Sequence, residues 1–295
     1  MQIAATENTI YTSPDASKIF CYTPSILVTP TGRLIVSFDL GGEGVKSIEG
    51  HKSSRAGGSR FGQGKIFISD DNGQKWTFVQ NFPFWHARLF TIGNSIYLIG
   101  HAGDICIMKS EDNGESWSDT YFLTHGEKWH SSACNVLFSN GNVSLAMEQR
   151  CRLNEVTGWD VAGLSPTLFR ACVEDNLCLA SSWSRSEKFI YKEVFDGAKL
   201  DFFGIPFYDC ETNKPKEIAT GINNAPLGWL EANVVKFVDK DHIWHTDLKE
   251  VFHLFLRAHT GGVNYAHLFK IEIQDDQSMI PSLEHTPSGQ KISYI

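Results

Sequence analysis

The amino-acid sequence predicts an all-β fold built from short antiparallel strands. Aromatic residues make up 12% of the 295-residue chain, and 20 Phe and 8 Trp against 4 Met favour sheets over helical bundles. A sequence pattern that begins at Ser69 recurs at Ser110, 41 residues later. Repeats of about 40 residues made of strands and polar turns are typical of propeller blades. We therefore expect a β-propeller of four-stranded blades.

The repeated pattern is S-x-D-x-G-x-x-W, and it lies between strand-like segments in both copies. The first copy is in residues 64–76, GKIFISDDNGQKW, and the second is in residues 105–117, ICIMKSEDNGESW. In a tight turn of this kind the Asp accepts backbone N–H groups, the Gly supplies a positive φ, and the Trp folds back over the turn. We predict flanking strands over Lys65–Ser69, Thr77–Gln80, Ile105–Ser110 and Asp119–Leu123.

These two motifs resemble the Asp-boxes of the sialidase (BNR-repeat) superfamily. The resemblance implies a β-propeller in which the motifs lie on outer turns, away from the active site. Pro24–Leu40, PSILVTPTGRLIVSFDL, resembles the opening blade of these proteins. Sialidases carry an Arg-Ile-Pro motif just before that strand, whereas the equivalent residues Cys21–Pro24 include no arginine. This departure argues against hydrolysis of sialic acid itself. The arrangement of the two later blades resembles polysaccharide-active relatives of the sialidases, such as ulvan lyase-like and rhamnosidase-like propellers.

Two later segments repeat the strand–turn–strand pattern without an Asp-box, at residues 131–183 and 228–273. With the first two blades this makes four, and blades of about 40–50 residues would allow up to six. We expect residues 1–295 to form one sialidase-like domain, with Asn8–Thr12 as a strand that joins the final sheet. The tail after Ile273 holds little more than the start of another blade. Either further blades are disguised or the chain is truncated at its C-terminus.

Long insertions rich in Gly and Ser separate some of the predicted strands. Loops of this length in a compact domain are usually functional or disordered, and on a propeller they shape the mouth of the central pocket. The largest insertions predicted to be loops are Gly41–Gly64, Cys151–Thr167 and Phe195–Leu227.

Composition and charge exclude several classes of protein. A hydrophobic content of 42% is too high for a disordered chain, and no run of about 18 apolar residues could span a membrane. The net charge is −8 and basic residues are scattered, so we expect no nucleic-acid and no membrane partner. The N-terminus shows no signal peptide, which predicts a cytoplasmic protein, or a secreted or periplasmic one if this N-terminus is already processed.

The seven cysteines do not form a disulfide framework in the sequence. Their number is odd and no C-x-x-C occurs. Several lie in apolar, strand-like runs. We therefore expect reduced core thiols.

Three histidines lie at the ends of predicted strands, where propeller loops direct side chains toward the axis. His86, followed by Arg88, opens the second blade, His101 precedes a Gly turn, and His130 opens the third blade. Each of them is equally compatible with a surface position or a hydrogen-bonded core position. We predict catalytic roles for His101 and His130 and substrate-binding roles for His86 and Arg88.

Carboxylates and cations on later strands complete the predicted site. Glu148 and Arg150 share one strand face, so they form either part of a site or a local ion pair. Glu231 follows Trp229, an arrangement suited to an acid/base beside a sugar-stacking aromatic, although a capping carboxylate would have the same pattern. The remaining predicted residues are catalytic Tyr265 and substrate-binding Arg257 and His259.

The resemblance implies a carbohydrate-active enzyme with a glycan as partner, and three functions remain open. The first is sialidase-like hydrolysis of an acidic or deoxy sugar, with Arg88, Arg150 and Arg257 as carboxylate holders. In that hydrolysis Tyr265 would be the nucleophile or proton donor, and Glu231 or Glu148 its base partner. The second is a uronate-specific polysaccharide lyase that uses His101 or His130 with Tyr265. The third is a non-catalytic glycan-binding propeller.

Metal, nucleotide and serine-hydrolase signatures are missing from the sequence. The pairs His125/His130 and His242/His245 have spacings that occur by chance among 11 histidines, and no HExxH or Cys/His pattern accompanies them. No phosphate-binding Gly loop or GxSxG elbow occurs either. We therefore expect no metal ligands, no cofactor and a monomer, with a bridging divalent metal as the weaker alternative.

Overall fold

The structure, a computed structural model, is all-β. It describes residues 7–54, 61–130, 135–151, 164–190, 228–236, 252–259, 266–273, 279–283 and 293–294. Helix within these ranges is confined to two short 3₁₀ segments, Glu43–Ser47 and Ala180–Ser182. No helix among the described residues is long and apolar enough to cross a membrane. The predicted fold class is confirmed in its all-β content and in its antiparallel sheets, each of which has a path of four paired strands, with one additional strand in three of the four sheets described.

The chain divides into two compact units, and the first holds two sheets. Unit 1 comprises Met1–Glu127 and Asn176–Ser182. Its first sheet has the order β1-β2-β4-β3, with β5 also paired to β4, and its second has the order β6-β7-β8-β9. The strands are β1 (Phe20–Val28), β2 (Leu34–Gly41), β3 (Ser53–Ser54), β4 (Phe61–Ser69), β5 (Thr77–Phe82), β6 (Trp85–Ile92), β7 (Ser95–Ala102), β8 (Asp104–Ser110) and β9 (Tyr121–Phe122).

Unit 2 comprises Lys128–Asp175 and Trp183–Ile295 and also holds two antiparallel sheets. In the first, β12 pairs with β10, β11 and β13, and β13 pairs with β14; in the second the order is β15-β16-β17-β18, with β19 also paired to β17. The strands are β10 (Trp129–His130), β11 (Leu137–Ser139), β12 (Asn142–Arg150), β13 (Leu164–Cys172), β14 (Trp183–Arg185), β15 (Gly228–Lys236), β16 (Phe252–His259), β17 (Ala266–Ile273), β18 (Met279–Leu283) and β19 (Ser293–Tyr294). The single domain expected over residues 1–295 stays a prediction.

The core of unit 1 lies on both faces of β2. Because side chains alternate along a strand, Ile35 packs into one apolar cluster and Val36 into another. The Ile35 cluster includes Phe82 and Leu98, so it joins the first sheet to the second. This packing fixes β1 and β6, the first strands of the two sheets, in contact with each other.

The two predicted Asp-box turns have the same hydrogen bonds. Ser69 Oγ accepts the N–H of Gly73 at 2.9 Å, and Ser110 Oγ accepts that of Gly114 at 2.9 Å. Asp71 Oδ1 also accepts the N–H of Lys75 at 2.8 Å. The Lys75 N–H is the main cause that lowers the pKa of Asp71, and the hydrogen bond from the Ser69 hydroxyl lowers it further. The turn geometry predicted from the sequence is confirmed, with the serine as an additional acceptor.

The glycines of both turns have the positive φ that the sequence predicted, 82° at Gly73 and 87° at Gly114. The indole N–H of Trp76 donates to the Gly73 carbonyl at 3.0 Å, so this Trp does fold back over its turn. Three of the predicted flanking strands are present and extend further: β4 begins at Phe61, β5 ends at Phe82 and β8 begins at Asp104. The fourth, predicted over Asp119–Leu123, is shorter, because strand there is confined to Tyr121–Phe122.

Two of the predicted loops are partly strand. β4 begins at Phe61, inside the insertion predicted over Gly41–Gly64, and β13 begins at Leu164, inside the one predicted over Cys151–Thr167. Glycines favour a loop in this part of the sequence, but Gly62 and Gly64 lie within β4, where the missing side chains leave space for neighbouring rings. A Cβ on Gly62 would lie 1.8 Å from Trp85 Nε1. The loop predicted over Phe195–Leu227 lies outside the described residues.

The ends of the chain also differ from the prediction. Asn8–Thr12 is not a strand: Asn8 donates to the Gly73 carbonyl at 2.9 Å, and the Tyr11 ring lies 5.5 Å from that of Phe38. This segment therefore packs on the first sheet. Met279–Leu283 in the tail pairs with β17, so it adds a strand to the fourth sheet and does not begin another blade.

The five cysteines in the described part of the chain are free thiols. Cys106 and Cys178 are buried, Cys151 and Cys172 are partly buried, and Cys21 is exposed. Burial raises the pKa of the Cys106 thiol from 9.0 to about 12. Cys106 therefore behaves as a small apolar core residue at neutral pH.

Candidate functional site

The first strands of three sheets contain the same backbone irregularity. Each has a β-bulge, in which two residues face one residue of the neighbouring strand. The first bulge residue is in the left-handed region in every case, with φ of 50° at Thr23, 52° at His86 and 61° at Glu231. Non-glycine residues with this backbone are strained by about 1–3 kcal/mol and concentrate at functional sites. Two of the three, His86 and Glu231, are predicted site residues.

The bulge of unit 1 brings His86 and His101 together. His86 Nδ1 lies 3.2 Å from His101 Nε2, so one imidazole donates to the other. His101 is fully buried at the end of β7, while His86 is partly exposed. The neighbouring Trp85 ring lies 6.3 Å from that of His101. Two histidines that the sequence predicts separately at strand ends are therefore in contact, while their predicted roles stay predictions.

Asp39 fixes the backbone of the same bulge. Its Oδ1 accepts the N–H of His86 at 3.1 Å, and its side chain is buried. Burial raises the pKa of the nearby Cys21 thiol, and the charge of Asp39 raises it further. Asp39 is thus a buried acidic group in direct contact with a predicted site residue.

Arg88, predicted as a carboxylate holder, is buried in unit 1. Its Nη1 donates to the carbonyl of Ala87 at 2.9 Å and to that of Pro24 at 3.4 Å. Both acceptors belong to bulge residues, so the guanidinium holds the bulges of β1 and β6 next to each other. Its predicted role toward substrate stays a prediction.

In unit 2, Glu148 joins His130 to the bulge that carries Glu231. Glu148 Oε2 lies 2.5 Å from His130 Nδ1, and Oε1 accepts the N–H of Ala232 at 2.8 Å. The Glu148 side chain is 2% exposed and that of His130 is 12% exposed. Glu231, which precedes Ala232, is exposed to solvent. One buried carboxylate therefore organises two predicted catalytic residues.

This arrangement determines what His130 can do chemically. An ionised carboxylate only accepts hydrogen bonds, so the Nδ1 of His130 carries the proton that Glu148 accepts. In that tautomer Nε2 is the unprotonated ring nitrogen, which is the nitrogen that acts as a general base in a neutral imidazole. Glu231 supplies a second, solvent-facing acid or base on the adjacent strand.

Solved structures with a similar chain path include three named enzymes. An alpha-L-arabinofuranosidase from Lactobacillus brevis has 14% identity and a TM-score of 0.49, over 90% of this chain and 78% of its own. An alpha-L-arabinofuranosidase from Fusarium graminearum, bound to an iminosugar inhibitor, has 10% identity and a TM-score of 0.47, over 95% of this chain and 70% of its own. A mutant of NanB sialidase from Streptococcus pneumoniae has 10% identity and a TM-score of 0.47, over 89% of this chain and 48% of its own. No protein-family model and no curated protein matches the chain. At these identities and TM-scores, the similarities assign neither family nor activity.

Four other predicted site residues, Arg150, Trp229, Arg257 and His259, lie on strands of unit 2. Arg150 ends β12, where its N–H donates to the Lys128 carbonyl at 2.7 Å. In the β15–β16 pairing, Leu230 faces Arg257, Trp229 faces Ala258 and Gly228 faces His259. Arg257 is therefore across from the residue that precedes Glu231. Tyr265 lies outside the described residues, so its predicted role stays untested.

Asp39 is the site residue that sequence reasoning missed. Its signal was available: a single acidic residue near the end of an apolar second strand, as at Glu148 on β12. In the strand pairing Asp39 faces Tyr22 and Glu148 faces His130. In the sequence Asp39 is one residue of the strand–turn–strand segment Pro24–Leu40, and that pattern alone does not single it out.

The described residues contain no group of three or more His, Cys, Asp or Glu side chains arranged to hold a metal ion. The His86–His101 contact supplies two ring nitrogens only. Of the spaced histidine pairs in the sequence, His242/His245 falls outside the part of the chain that the structure describes.

Proposed function

We propose that the chain is a glycoside hydrolase that acts on a glycan with an acidic or deoxy sugar. The observation that carries this proposal is the contact of Glu148 with both His130 and the Glu231 bulge. Hydrolysis of a glycosidic bond needs one group that protonates the leaving oxygen and another that activates water. The pair Glu231 and His130 supplies both kinds of group in one unit.

In the proposed reaction Glu231 donates its proton to the glycosidic oxygen as the bond to the anomeric carbon breaks. Water attacks that carbon, and its proton passes to Nε2 of His130. Glu148 stabilises the imidazolium that forms, because it already accepts the Nδ1 proton at 2.5 Å. Release of the His130 proton to solvent and reprotonation of Glu231 restore the starting state. Arg150 and Arg257, on strands of the same unit, are the proposed partners of a sugar carboxylate.

The test is incubation of the purified chain with chromogenic α-L-arabinofuranosides and sialosides and with uronate-rich polysaccharides, followed by mass analysis. The panel follows the substrates named for the similar solved structures. We expect products that together gain one water per bond cleaved. Glu231→Gln and His130→Asn should each lower kcat by about 10²–10⁴. Glu187→Gln, at an exposed carboxylate of the same unit, should retain full activity. Binding without any change in product mass would refute hydrolysis and favour a glycan-binding protein.

The His130–Glu148 pair also favours a second candidate, a polysaccharide lyase. A histidine with Nδ1 held by a carboxylate is suited to removing the proton next to a uronate carboxyl group. Elimination gives an unsaturated product that absorbs near-ultraviolet light, and its products sum to the mass of the parent. The same incubation therefore separates the two reactions.

A further inference from the structure

Two buried carboxylates occupy the same position in different sheets. Asp39 on β2 pairs in register with Tyr22, and Glu148 on β12 pairs with His130. Each acidic residue lies two positions before the end of the strand that is second in the order of its sheet, and both residues are 1% exposed. Each unit therefore has one buried acidic residue at this position, Asp39 in unit 1 and Glu148 in unit 2.

Each of these carboxylates accepts a backbone N–H from the bulge of the following sheet. Asp39 accepts the N–H of His86 at 3.1 Å, and Glu148 accepts that of Ala232 at 2.8 Å. A bulge leaves an N–H outside the regular ladder of its own sheet, and a buried N–H needs an acceptor. The carboxylate of the preceding sheet supplies that acceptor in both units.

We propose that Asp39 and Glu148 are positioning residues, each of which fixes the next bulge of its own unit and thereby the orientation of the left-handed residue there. Asp39 would position His86, and Glu148 would position Glu231. The bond to the backbone is structural in either case, whereas the effect on catalysis rests on the proposed hydrolase function.

A carboxylate suits this role better than an amide at Glu148. Its two oxygens accept from Ala232 N–H and from His130 Nδ1 at once. A glutamine has one acceptor oxygen, and its NH₂ would donate to Nδ1 and force the other tautomer of the imidazole. Glu148→Gln therefore keeps the bond to the Ala232 N–H but removes the basic Nε2 of His130. Glu148→Ala removes the bonds to both Ala232 and His130.

The experiment measures amide hydrogen exchange of the bulge residues together with kcat and KM, on the chromogenic glycoside that the wild-type chain cleaves fastest. Glu148→Ala should speed exchange at Ala232 at least about tenfold and lower kcat about 100-fold with little change in KM. Glu148→Gln should leave the exchange rate within about threefold of wild type and still lower kcat. Ser144→Ala, which removes another buried polar group of β12, is the matched control and should change neither.

The same design applies to unit 1. Asp39→Ala should speed exchange at His86 at least about tenfold, and Asp39→Asn should restore protection because its amide oxygen accepts the same N–H. Ser37→Ala is the matched control: its hydroxyl is buried two residues away on β2, with no hydrogen-bond partner among the described residues. Thermal unfolding of every variant shows whether it is folded.

The outcomes separate this proposal from the proposed function. Unchanged exchange at Ala232 and His86 in the folded alanine variants would overturn it. Faster exchange with an unchanged kcat would overturn the catalytic part. Faster exchange in a chain that cleaves no glycan would support the bulge contact and refute only the hydrolase function.

Discussion

Arg33 holds Asp70 through two parallel hydrogen bonds, from Nε to Oδ1 at 2.7 Å and from Nη2 to Oδ2 at 2.9 Å. The same guanidinium donates from Nη1 to the Asn113 carbonyl at 3.2 Å and to Glu115 at 3.3 Å. Asp70 belongs to the first of the two repeated turns, and Asn113 and Glu115 belong to the second. One side chain, in the turn between β1 and β2, therefore connects the two repeated turns.

We expect Arg33→Lys to lower the melting temperature and to weaken its dependence on acid pH. The Arg33 guanidinium holds the pKa of Asp70 below its ordinary value of 3.8. The ionised pair therefore stabilises the fold fully above pH 3.8, and that contribution is lost as the pH falls through the lower folded pKa. A lysine cannot form the two parallel bonds.

The measurement is thermal unfolding from pH 2 to pH 7. Lys18→Ala is the control, because it removes an ion pair of 3.9 Å between exposed side chains, with Glu43 as its partner. A melting temperature that falls equally in both variants would contradict the role assigned to Arg33.

Gly114→Ala should destabilise the protein more than Gly73→Ala. Both positions have a positive φ, which costs about 1 kcal/mol for alanine. A Cβ on Gly114 would lie 2.5 Å from Ile35 Cδ1 in the core, whereas a Cβ on Gly73 has nothing nearer than 3.5 Å. Overpacking adds about 1–3 kcal/mol. Denaturant unfolding measures both losses, and equal values would mean that Ile35 moves aside without cost.

The repeated turns could be predicted from the sequence because their bonds are local. In each turn the Ser and Asp side chains bond backbone groups within four residues, so the motif itself specifies the geometry. The pairing of Met279–Leu283 with β17 could not be predicted this way. It depends on contacts between separate segments, and a short tail strand carries no local signal for its partner.

Cys106 should make the protein less stable at alkaline pH. Burial raises the folded pKa of its thiol from 9.0 to about 12, so the folded state keeps a proton that the unfolded state releases. Its contribution is complete below pH 9.0 and is lost as the pH rises toward about 12. Cys106→Ala should therefore flatten the fall in the free energy of unfolding above pH 9.

Urea unfolding at a series of pH values provides the measurement, with Cys172→Ala at a partly buried thiol as the control. Burial also raises the pKa of Tyr11 and of Tyr97, so some alkaline loss should remain in the variant. An unchanged slope in Cys106→Ala would show that the thiol does not titrate differently on folding.

The predicted histidines and Glu231 were found because polar residues at strand ends stand out in the sequence. Their grouping could not be predicted, since it depends on bulges that only backbone geometry reveals. Glu148 illustrates this: the period of two suggested Arg150 as its partner, whereas its oxygens contact His130 and the Ala232 N–H. The bulge turns the following residue toward the neighbouring sheet, which no strand-face rule anticipates.

The Glu231→Gly variant should be more stable to unfolding than the Glu231→Ala variant, while both lose activity. In a regular strand, glycine is about 0.5–1 kcal/mol less stable than alanine. At Glu231 the φ of 61° strains any residue with a Cβ, so the order reverses and Glu231→Gly gains about 1 kcal/mol over Glu231→Ala. Both substitutions remove the proposed acid and should lower kcat by about 10²–10⁴.

Val234 gives the matched comparison, because it is on the same strand as Glu231 but in regular pairing with Leu254 of β16. There the alanine variant should be the more stable of the two in denaturant unfolding. If alanine were also the more stable at Glu231, the backbone at the bulge would be relaxed and the strain would have no part in presenting the carboxylate. A glycine variant that is stabilised but inactive would instead show that the chain keeps a strained backbone for the side chain it carries.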